Sequence, residues 1–240
     1  MKLSIIIPAY NEEKTLEAVV RNVDAVKLDG IDKEIVIVDD CSSDSTSKVM
    51  AGLDAIGLTA ALKLIYQDVN QGKGAAIAKG IEASSGDIVI IQDADMEYDP
   101  NDYGRIIAPI LDGRADYCYG VRFAQSGAWL VQPYWHTWCN KVMTWVANIA
   151  TGLNMSDIHT CYKAFRADVI KGITITEKRF GGDTEITIKL ARKHLRMYEV
   201  PASYIPRSLE EGKKVGLKDA FRCLWCIFKF SVFPHSDAYL

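Results

Sequence analysis

With 240 residues, 49% of them hydrophobic and 25% charged, the chain has the size and balance of one large globular domain or a domain with a modest extension. Its formal net charge of −3 gives no basis for nucleic-acid binding as the main task. No segment reaches the ~18 to 20 uninterrupted apolar residues of a membrane span. The N-terminal apolar run is too short for a signal peptide, and six scattered cysteines read as reduced thiols, so a cytoplasmic location is expected.

In chain order, Leu3–Ile7 is predicted as a strand. A helix from about Glu12 follows, placing Leu16, Val19, Val20, Val23 and Val26 on one face. Asn11 is its expected N-cap, with Glu12 and Glu13 in the first turn. Glu34–Val38 is the second strand, ending at Asp39 and Asp40, and Asp44 or Ser45 is placed to cap the next helix. Leu62–Tyr66 is a third strand, Gly74–Ala83 a helix and Asp87–Ile91 a fourth strand. Strands this apolar, alternating with helices, argue for a mostly parallel α/β sheet covered by helices on both faces. Such sheets bind ligands at the carboxyl ends of their strands. Polar clusters stand at those ends: Pro8–Glu12, Asp39–Asp44, Gln67–Lys73 and Asp93–Glu97.

The second half is less regular. Tyr117–Val121 reads as a strand, Tyr134–Leu153 as a Trp-rich helix, Asp183–Lys193 as a helix and Met197–Ile205 as a strand. Gly216–Phe233 reads as helical, with Leu217, Phe221, Leu224, Trp225 and Phe228 on one face. The expected organisation is a domain over residues 1–215 and an amphipathic helical extension over 216–240. Cys223 and Cys226 form a lone CxxC among aromatics, which favours core packing over a zinc or redox site.

The chemistry concentrates in QDADMEYDP. While the chain stays extended, Asp93, Asp95 and Glu97 alternate and so point to one side. Two carboxylates about 5 Å apart at an effective dielectric near 20 repel by roughly 3 kcal/mol. A hard divalent cation turns that repulsion into coordination, and oxygen-only ligands suit Mg²⁺ or Mn²⁺. Mg²⁺ usually takes one or two carboxylates and completes its shell with water and substrate phosphate, which favours a diphosphate ligand. Asp99 before Pro100 reads as the start of a turn. In VDDCSSD, Asp39 and Asp40 are suited to accept hydrogen bonds from a base or ribose, and Asp44 to capping. NQGKG places Lys73 between glycines ahead of a helix, where backbone donors and an ammonium meet phosphate. The glycine and hydroxyl positions of a Walker A loop are absent.

In this order and spacing, PAYNE, VDDCSSD, NQGKG and QDADME resemble the family-2 inverting glycosyltransferases with a GT-A fold. Gly120–Phe123, Asp157–Lys163, Gly182–Glu185 and Tyr204–Arg207 followed by Gly212-Lys213-Lys214 resemble, more narrowly, the dolichyl- and polyprenyl-phosphate sugar transferases. The likeness extends to about residue 220. It implies that Pro8, Tyr10, Glu12, Asp39 and Asp40 hold the nucleoside and that Lys73 lies near the donor. Asp93 and Asp95 become the DxD-type pair, with Asp95 the better metal ligand and Glu97 a third candidate where relatives often carry glutamine. Arg122, aided by Lys141, meets the acceptor phosphate, and Arg207 with Lys213 or Lys214 closes over the diphosphate. Glu210 and Glu211 in that same loop weaken its positive field.

The implied reaction moves a hexose from UDP-glucose or GDP-mannose to a polyprenyl phosphate, with Mg²⁺ or Mn²⁺ at the leaving diphosphate. A sugar or protein hydroxyl acceptor instead needs a general base, and Asp183 stands at the family's acidic motif. A phosphate monoester, with a second pKa about 6, is mostly dianionic at neutral pH and needs positioning more than a base. A lipid acceptor requires peripheral membrane contact. Trp129, Trp135, Trp138 and Trp145, and the tail with Trp225, suit the interfacial plane. A homodimer interface accounts for the same tail. A signalling receiver module is excluded by length, and because its acidic pair is expected after the first strand.

Overall fold

The computed structural model describes residues 1–122, 134–206 and 217–233. Within them, strands β1 (Lys2–Ala9), β2 (Asp32–Asp39), β3 (Ala61–Tyr66) and β4 (Ile88–Ile91) alternate with helices α1 (Leu16–Ala25), α2 (Thr46–Gly52) and α3 (Lys73–Ala83). Helix α4 (Tyr103–Leu111), strand β5 (Tyr117–Val121) and helix α5 (Tyr134–Thr151) follow. The last elements are β6 (Lys163–Arg166), α6 (Ala167–Lys171), α7 (Gly181–Arg192), β7 (Met197–Pro201) and α8 (Leu217–Val232).

The seven strands form one sheet in the order β3-β2-β1-β4-β6-β5-β7. Every neighbouring pair is parallel except the two made by β6, which runs against both β4 and β5. Because side chains alternate across a strand, β1 sends Leu3, Ile5 and Ile7 to a core beneath α1 and α4, and Ile6 to a second core with α3 and α7. In β2, Ile35 and Ile37 divide from Val36 and Val38 in the same way, as do Ile88 and Ile90 from Val89 and Ile91 in β4. Both faces are thus covered over β1, β2 and β4, as their apolar runs imply, while the edge strands β3 and β7 stay partly exposed.

Helix α1 starts later than the sequence suggests. Asn11 is no N-cap: it sits in the left-handed region at φ 55°, which asparagine tolerates. Its side-chain oxygen accepts from the Ser43 amide at 2.8 Å, tying the β1 loop to the β2 loop. Thr15 holds the N-cap position. Asp44 does accept from the Thr46 amide at the start of α2. Strand β7 ends at Pro201, short of the predicted Ile205.

The tail helix α8 buries Cys223, Cys226, Ile227 and Phe230 against Met143 and Ala147 of α5 and Ile188 of α7. Its apolar surface is therefore wider than one stripe. Of the predicted face, Leu224 packs against this core, while Phe221 is 71% and Trp225 and Phe228 each 52% exposed. Arg222 and Lys229 reach Glu177 at 2.6 and 3.1 Å and fasten the helix to the segment before α7. The CxxC pair is free and buried, as core packing requires.

Glu34, buried on β2, gives the fold an acid limit. Its burial pushes its pKa up, but hydrogen bonds from Ser4 Oγ (2.6 Å), the Ser85 amide (2.8 Å) and Ser85 Oγ (2.7 Å), aided by Lys63, outweigh this and bring it to about 2. The folded value lies below the unfolded one, so this stabilisation is complete above about pH 4.5. It disappears as pH falls toward about 2, a contribution of up to about 3 kcal/mol. Glu34→Gln should therefore lower stability at neutral pH and flatten the acid limb, measured as denaturant midpoint against pH. An unchanged slope between pH 5 and 2 would contradict the assignment.

Candidate active site

The strand order brings the carboxyl ends of β2, β1 and β4 side by side. Ala9 pairs with Asp39, and Ile6 with Ile91. Pro8 lies within β1 and Tyr10 is exposed just past it. Glu12 is buried, its carboxylate accepting from Thr15 Oγ1 at 2.9 Å and its amide donating to Thr46 Oγ1 at 2.8 Å. Asp39, 2% exposed, accepts from the Ser42 amide at 3.1 Å and Ser47 Oγ at 2.6 Å.

Asp40 is occupied within the protein. Its oxygens accept from the amides of Gln71 and Gly72, both at 2.7 Å, and from Gln67 Nε2 at 2.8 Å. The carboxylate thereby latches the NQGKG loop onto β2. Gly72 has φ 101°, a region closed to most side chains. A Cβ on Gly74 would stand 2.2 Å from the Glu177 carbonyl, and one on Gly182 would stand 2.9 Å from Gly74 Cα. These glycines let the N-termini of α3 and α7 approach, which places Lys73 beside Asp183.

Lys73 Nζ lies 2.7 Å from Asp93 Oδ1, 3.1 Å from Cys161 Sγ and 3.9 Å from Asp183 Oδ2. Burial pulls the Lys73 pKa down, but Asp93, Cys161 and Asp183 outweigh it and hold it above the ordinary lysine value. On the far side of Asp183, Lys163 Nζ stands 3.7 Å from Oδ1. Lys163 is fully buried and donates to the Ile158 and Asp183 carbonyls (3.2 Å each) and to Thr187 Oγ1 (3.3 Å), with Tyr119 beneath its ammonium. Its desolvation lowers its pKa, with Asp183 opposing. The order Asp93, Lys73, Asp183, Lys163 alternates charge through a largely dry interior, where such pairing offsets the desolvation cost. Asp183 Oδ1 has no hydrogen-bond partner. Glu185 faces away from this cluster and accepts from the amides of Thr176 and Glu177 and from Lys189.

The carboxylates of QDADME are not aligned along one side. The chain turns at Ala94–Asp95, and Met96 adopts φ 63°, so the extended alternation ends with β4. Asp95 Oδ1 accepts from the Glu97 amide at 3.2 Å, while Glu97 Oε2 accepts from Tyr204 OH at 3.1 Å. Among the described residues no three His, Cys, Asp or Glu side chains form a ready-made metal cage. Of the three expected carboxylates, Glu97 has one oxygen engaged by Tyr204. Asp93 and Asp95 still fit a cation that brings its own water and phosphate oxygens. The ammonium already resting on Asp93 marks the place as one that demands positive charge. Asp99 belongs to the turn, accepting from the Asn101 amide at 2.9 Å.

Arg122, at the end of β5, meets the fully buried Asp157 through Nε (2.7 Å) and Nη2 (2.8 Å), and Asn140 Nδ2 donates to the same carboxylate at 3.1 Å. Tyr204 lies 5.2 Å beneath its guanidinium. Burial would lower the Arg122 pKa, but Asp157 outweighs it and holds the group charged. His159, also beside Asp157, is pushed down to about 4, chiefly by burial, and is neutral at pH 7. Lys141 is exposed on α5, and its side chain makes no hydrogen bond or ion pair among the described residues. Arg207, Lys213 and Lys214 lie outside the described residues.

Sequence reasoning did not single out Asp157, Cys161, Lys163 or Tyr204 as individual groups. Asp157 and Lys163 bracket DIHTCYK, a motif noticed for its likeness alone. A lysine directly before the apolar pair Ala164-Phe165 was the available signal, since a charge buried beside them must find a partner.

The family described as Glycosyl transferase family 2 matches residues 4–174. The chain is similar to dolichol-phosphate mannosyltransferase of Pyrococcus furiosus, 30% identical over 231 residues, which cover 95% of this chain and 63% of that protein. It is 28% identical over 230 residues to undecaprenyl-phosphate mannosyltransferase of Micrococcus luteus, covering 90% of this chain and 88% of the relative. In structure it resembles glucosyl-3-phosphoglycerate synthase from Mycobacterium tuberculosis, crystallised with Mn²⁺, UDP and glucosyl-3-phosphoglycerate. The TM-score is 0.68 at 17% identity, over 98% of this chain and 81% of that one, a likeness of fold.

Proposed function

Because the chain belongs to glycosyl transferase family 2, we propose that it transfers a hexose, with inversion, from a nucleotide diphosphate sugar to a polyprenyl or dolichyl phosphate. The observation that carries this reading is the setting of Asp183. Its oxygens face the ammoniums of Lys73 and Lys163 at 3.9 and 3.7 Å, so the carboxylate is committed to a charge cluster. An acceptor that arrives as a dianion needs no proton removed. The names of the relatives from Pyrococcus and Micrococcus support a polyprenyl-phosphate acceptor.

In this reading Pro8, Tyr10, Glu12 and Asp39 form the nucleoside wall, and Asp40 acts by holding the loop that delivers Lys73. Asp95, with Asp93, holds Mg²⁺ or Mn²⁺, which when bound supplies positive charge to the leaving diphosphate. Lys73 contributes a second positive charge on the donor side. Arg122, fixed in orientation by Asp157, holds the acceptor phosphate for attack from the opposite face. Lys141 aids it from α5, and Arg207, Lys213 and Lys214 close over the donor. UDP-glucose and GDP-mannose are the donors to test first.

One observation favours a hydroxyl acceptor instead: Asp183 Oδ1 is buried without a hydrogen-bond partner and could receive a proton. Asp183→Asn separates the two. Lipid-linked sugar forming from polyprenyl phosphate, with transfer retained in the Asn variant, supports the phosphate acceptor. Transfer only to hydroxyls, abolished in the variant, overturns it.

Among the described residues no helix is long and apolar enough to cross a membrane. In this reading the lipid acceptor is met at the surface, where α5 and α8 expose apolar side chains. Trp138, Trp145 and Ile149 on α5, and Phe221, Trp225, Phe228 and Phe233 at α8, are all at least 52% exposed. Rings of this kind settle at the headgroup level. Trp225→Ser/Phe228→Ser should weaken binding to anionic phospholipid vesicles by at least about tenfold, since each buried ring contributes roughly 1.5–3 kcal/mol. Unchanged co-sedimentation, with a fall in molecular mass in solution, would assign the face to a homodimer.

A further inference from the structure

The position of Lys73 has a consequence for cation binding that rests on the metal reading above. Its ammonium makes its shortest ion pair with Asp93 Oδ1, at 2.7 Å, one of the two carboxylates assigned to the divalent cation. Its remaining partners are the Cys161 thiol at 3.1 Å and Asp183 Oδ2 at 3.9 Å. The lysine is held there from three sides. Gln71 and Gly72, just before it, are pinned by Asp40. The glycines Gly74 and Gly182 seal α3 against α7, and the Lys73 side chain is 17% exposed. A positive charge is thus built into the cation site by the fold.

We propose that Lys73 is an internal counter-ion that competes with the divalent cation for Asp93, so that the cation binds weakly alone and tightly together with a diphosphate. Two like charges sharing one carboxylate repel across a poorly screened interior. The diphosphate relieves this by adding negative charge between them. Asp183, 3.9 Å away, is the second resting place for the ammonium, which needs to shift by only a side-chain rotation. Lys73 is a positioning residue in this sense: it makes cation and nucleotide binding mutually dependent, and such coupling is reciprocal.

The test is Mn²⁺ binding, read from the free-ion electron paramagnetic resonance signal, with no sugar and no turnover. Wild type, Lys73→Met, Lys73→Gln and Lys73→Arg are titrated without and with UDP, and folding is checked by circular dichroism. Wild type should bind Mn²⁺ weakly alone and at least tenfold more tightly with UDP. Lys73→Met and Lys73→Gln should bind Mn²⁺ alone at least tenfold more tightly than wild type and gain less from UDP. Lys73→Arg, which keeps the charge, should follow wild type. Mn²⁺ should also raise the melting temperature of the two neutral variants more than that of wild type. Equal or weaker Mn²⁺ binding in both folded neutral variants overturns the counter-ion role while leaving the metal site standing. Absence of Mn²⁺ binding in every protein, even with UDP, overturns both.

Discussion

Asp95→Ala is expected to reduce transfer from a nucleotide sugar by about three orders of magnitude, equivalent to about 4 kcal/mol of lost transition-state stabilisation. Charge grows on the leaving diphosphate, and the positive charge aimed at it acts in a partly dry cleft where it is worth more than in water. Asp95 sits in the turn after β4 and is half-buried, so its truncation should change stability by no more than about 1 kcal/mol. Chelation of wild type should reproduce the loss. Glu97→Gln is the internal comparison: Glu97 Oε2 is engaged by Tyr204, so its rate should stay within a few-fold of wild type. Steady-state transfer with Mn²⁺ decides it. Full activity in Asp95→Ala, or a collapse confined to Glu97→Gln, would overturn the assignment of the metal pair.

Arg122→Ala is expected to act twice. It strips the guanidinium from Asp157, a fully buried carboxylate, and breaking such a pair from one side costs about 3–5 kcal/mol. It also removes the proposed acceptor-phosphate contact, worth about 1.5–3 kcal/mol for a hydrogen bond to a charged group, or roughly ten- to a hundredfold in kcat/KM for the acceptor. Asp157→Asn separates the effects: it keeps the shape and one acceptor oxygen, so it should restore much of the melting temperature in an Arg122→Ala background without restoring acceptor use. Arg122→Lys keeps the charge but not the two-point grip. It should bind acceptor more weakly than wild type while leaving the KM for the nucleotide sugar near its original value. A donor KM that rises as steeply as the acceptor KM would place Arg122 on the wrong side of the cleft.

What was legible in advance follows the range of the interactions. Strands β1, β2 and β4 announce themselves as apolar runs, because both of their faces are covered and no alternation is needed, whereas β3, at the sheet edge, alternates around Lys63. The clusters at their ends stand out because each strand end must either turn polar or bury its backbone groups. Strand β6 escaped because it has four residues, begins with a lysine and reverses direction between β4 and β5. Helix α8 showed its apolar character in the sequence but not which side of it packs inward, for a related reason. Apolar residues surround much of that helix, and the choice of buried face depends on Met143, Ala147 and Ile188, which come from distant elements.

The sequence alone thus determined the α/β class, the sheet covered on both faces, and the acidic and glycine-rich clusters at the strand ends. It also supplied the family, whose motifs are local and keep their order. Tertiary structure alone decided which charges meet. Asp40 latches the loop that carries Lys73, and Glu97 meets Tyr204. Lys73 became the bridge between Asp93 and Asp183, with Lys163 buried behind. Those outcomes depend on turns with positive φ at Asn11, Gly72 and Met96, and on a glycine contact between residues more than a hundred positions apart. A carboxylate's role is set by the donor that reaches it first, and that donor is chosen by packing across the whole chain rather than by its neighbours in sequence.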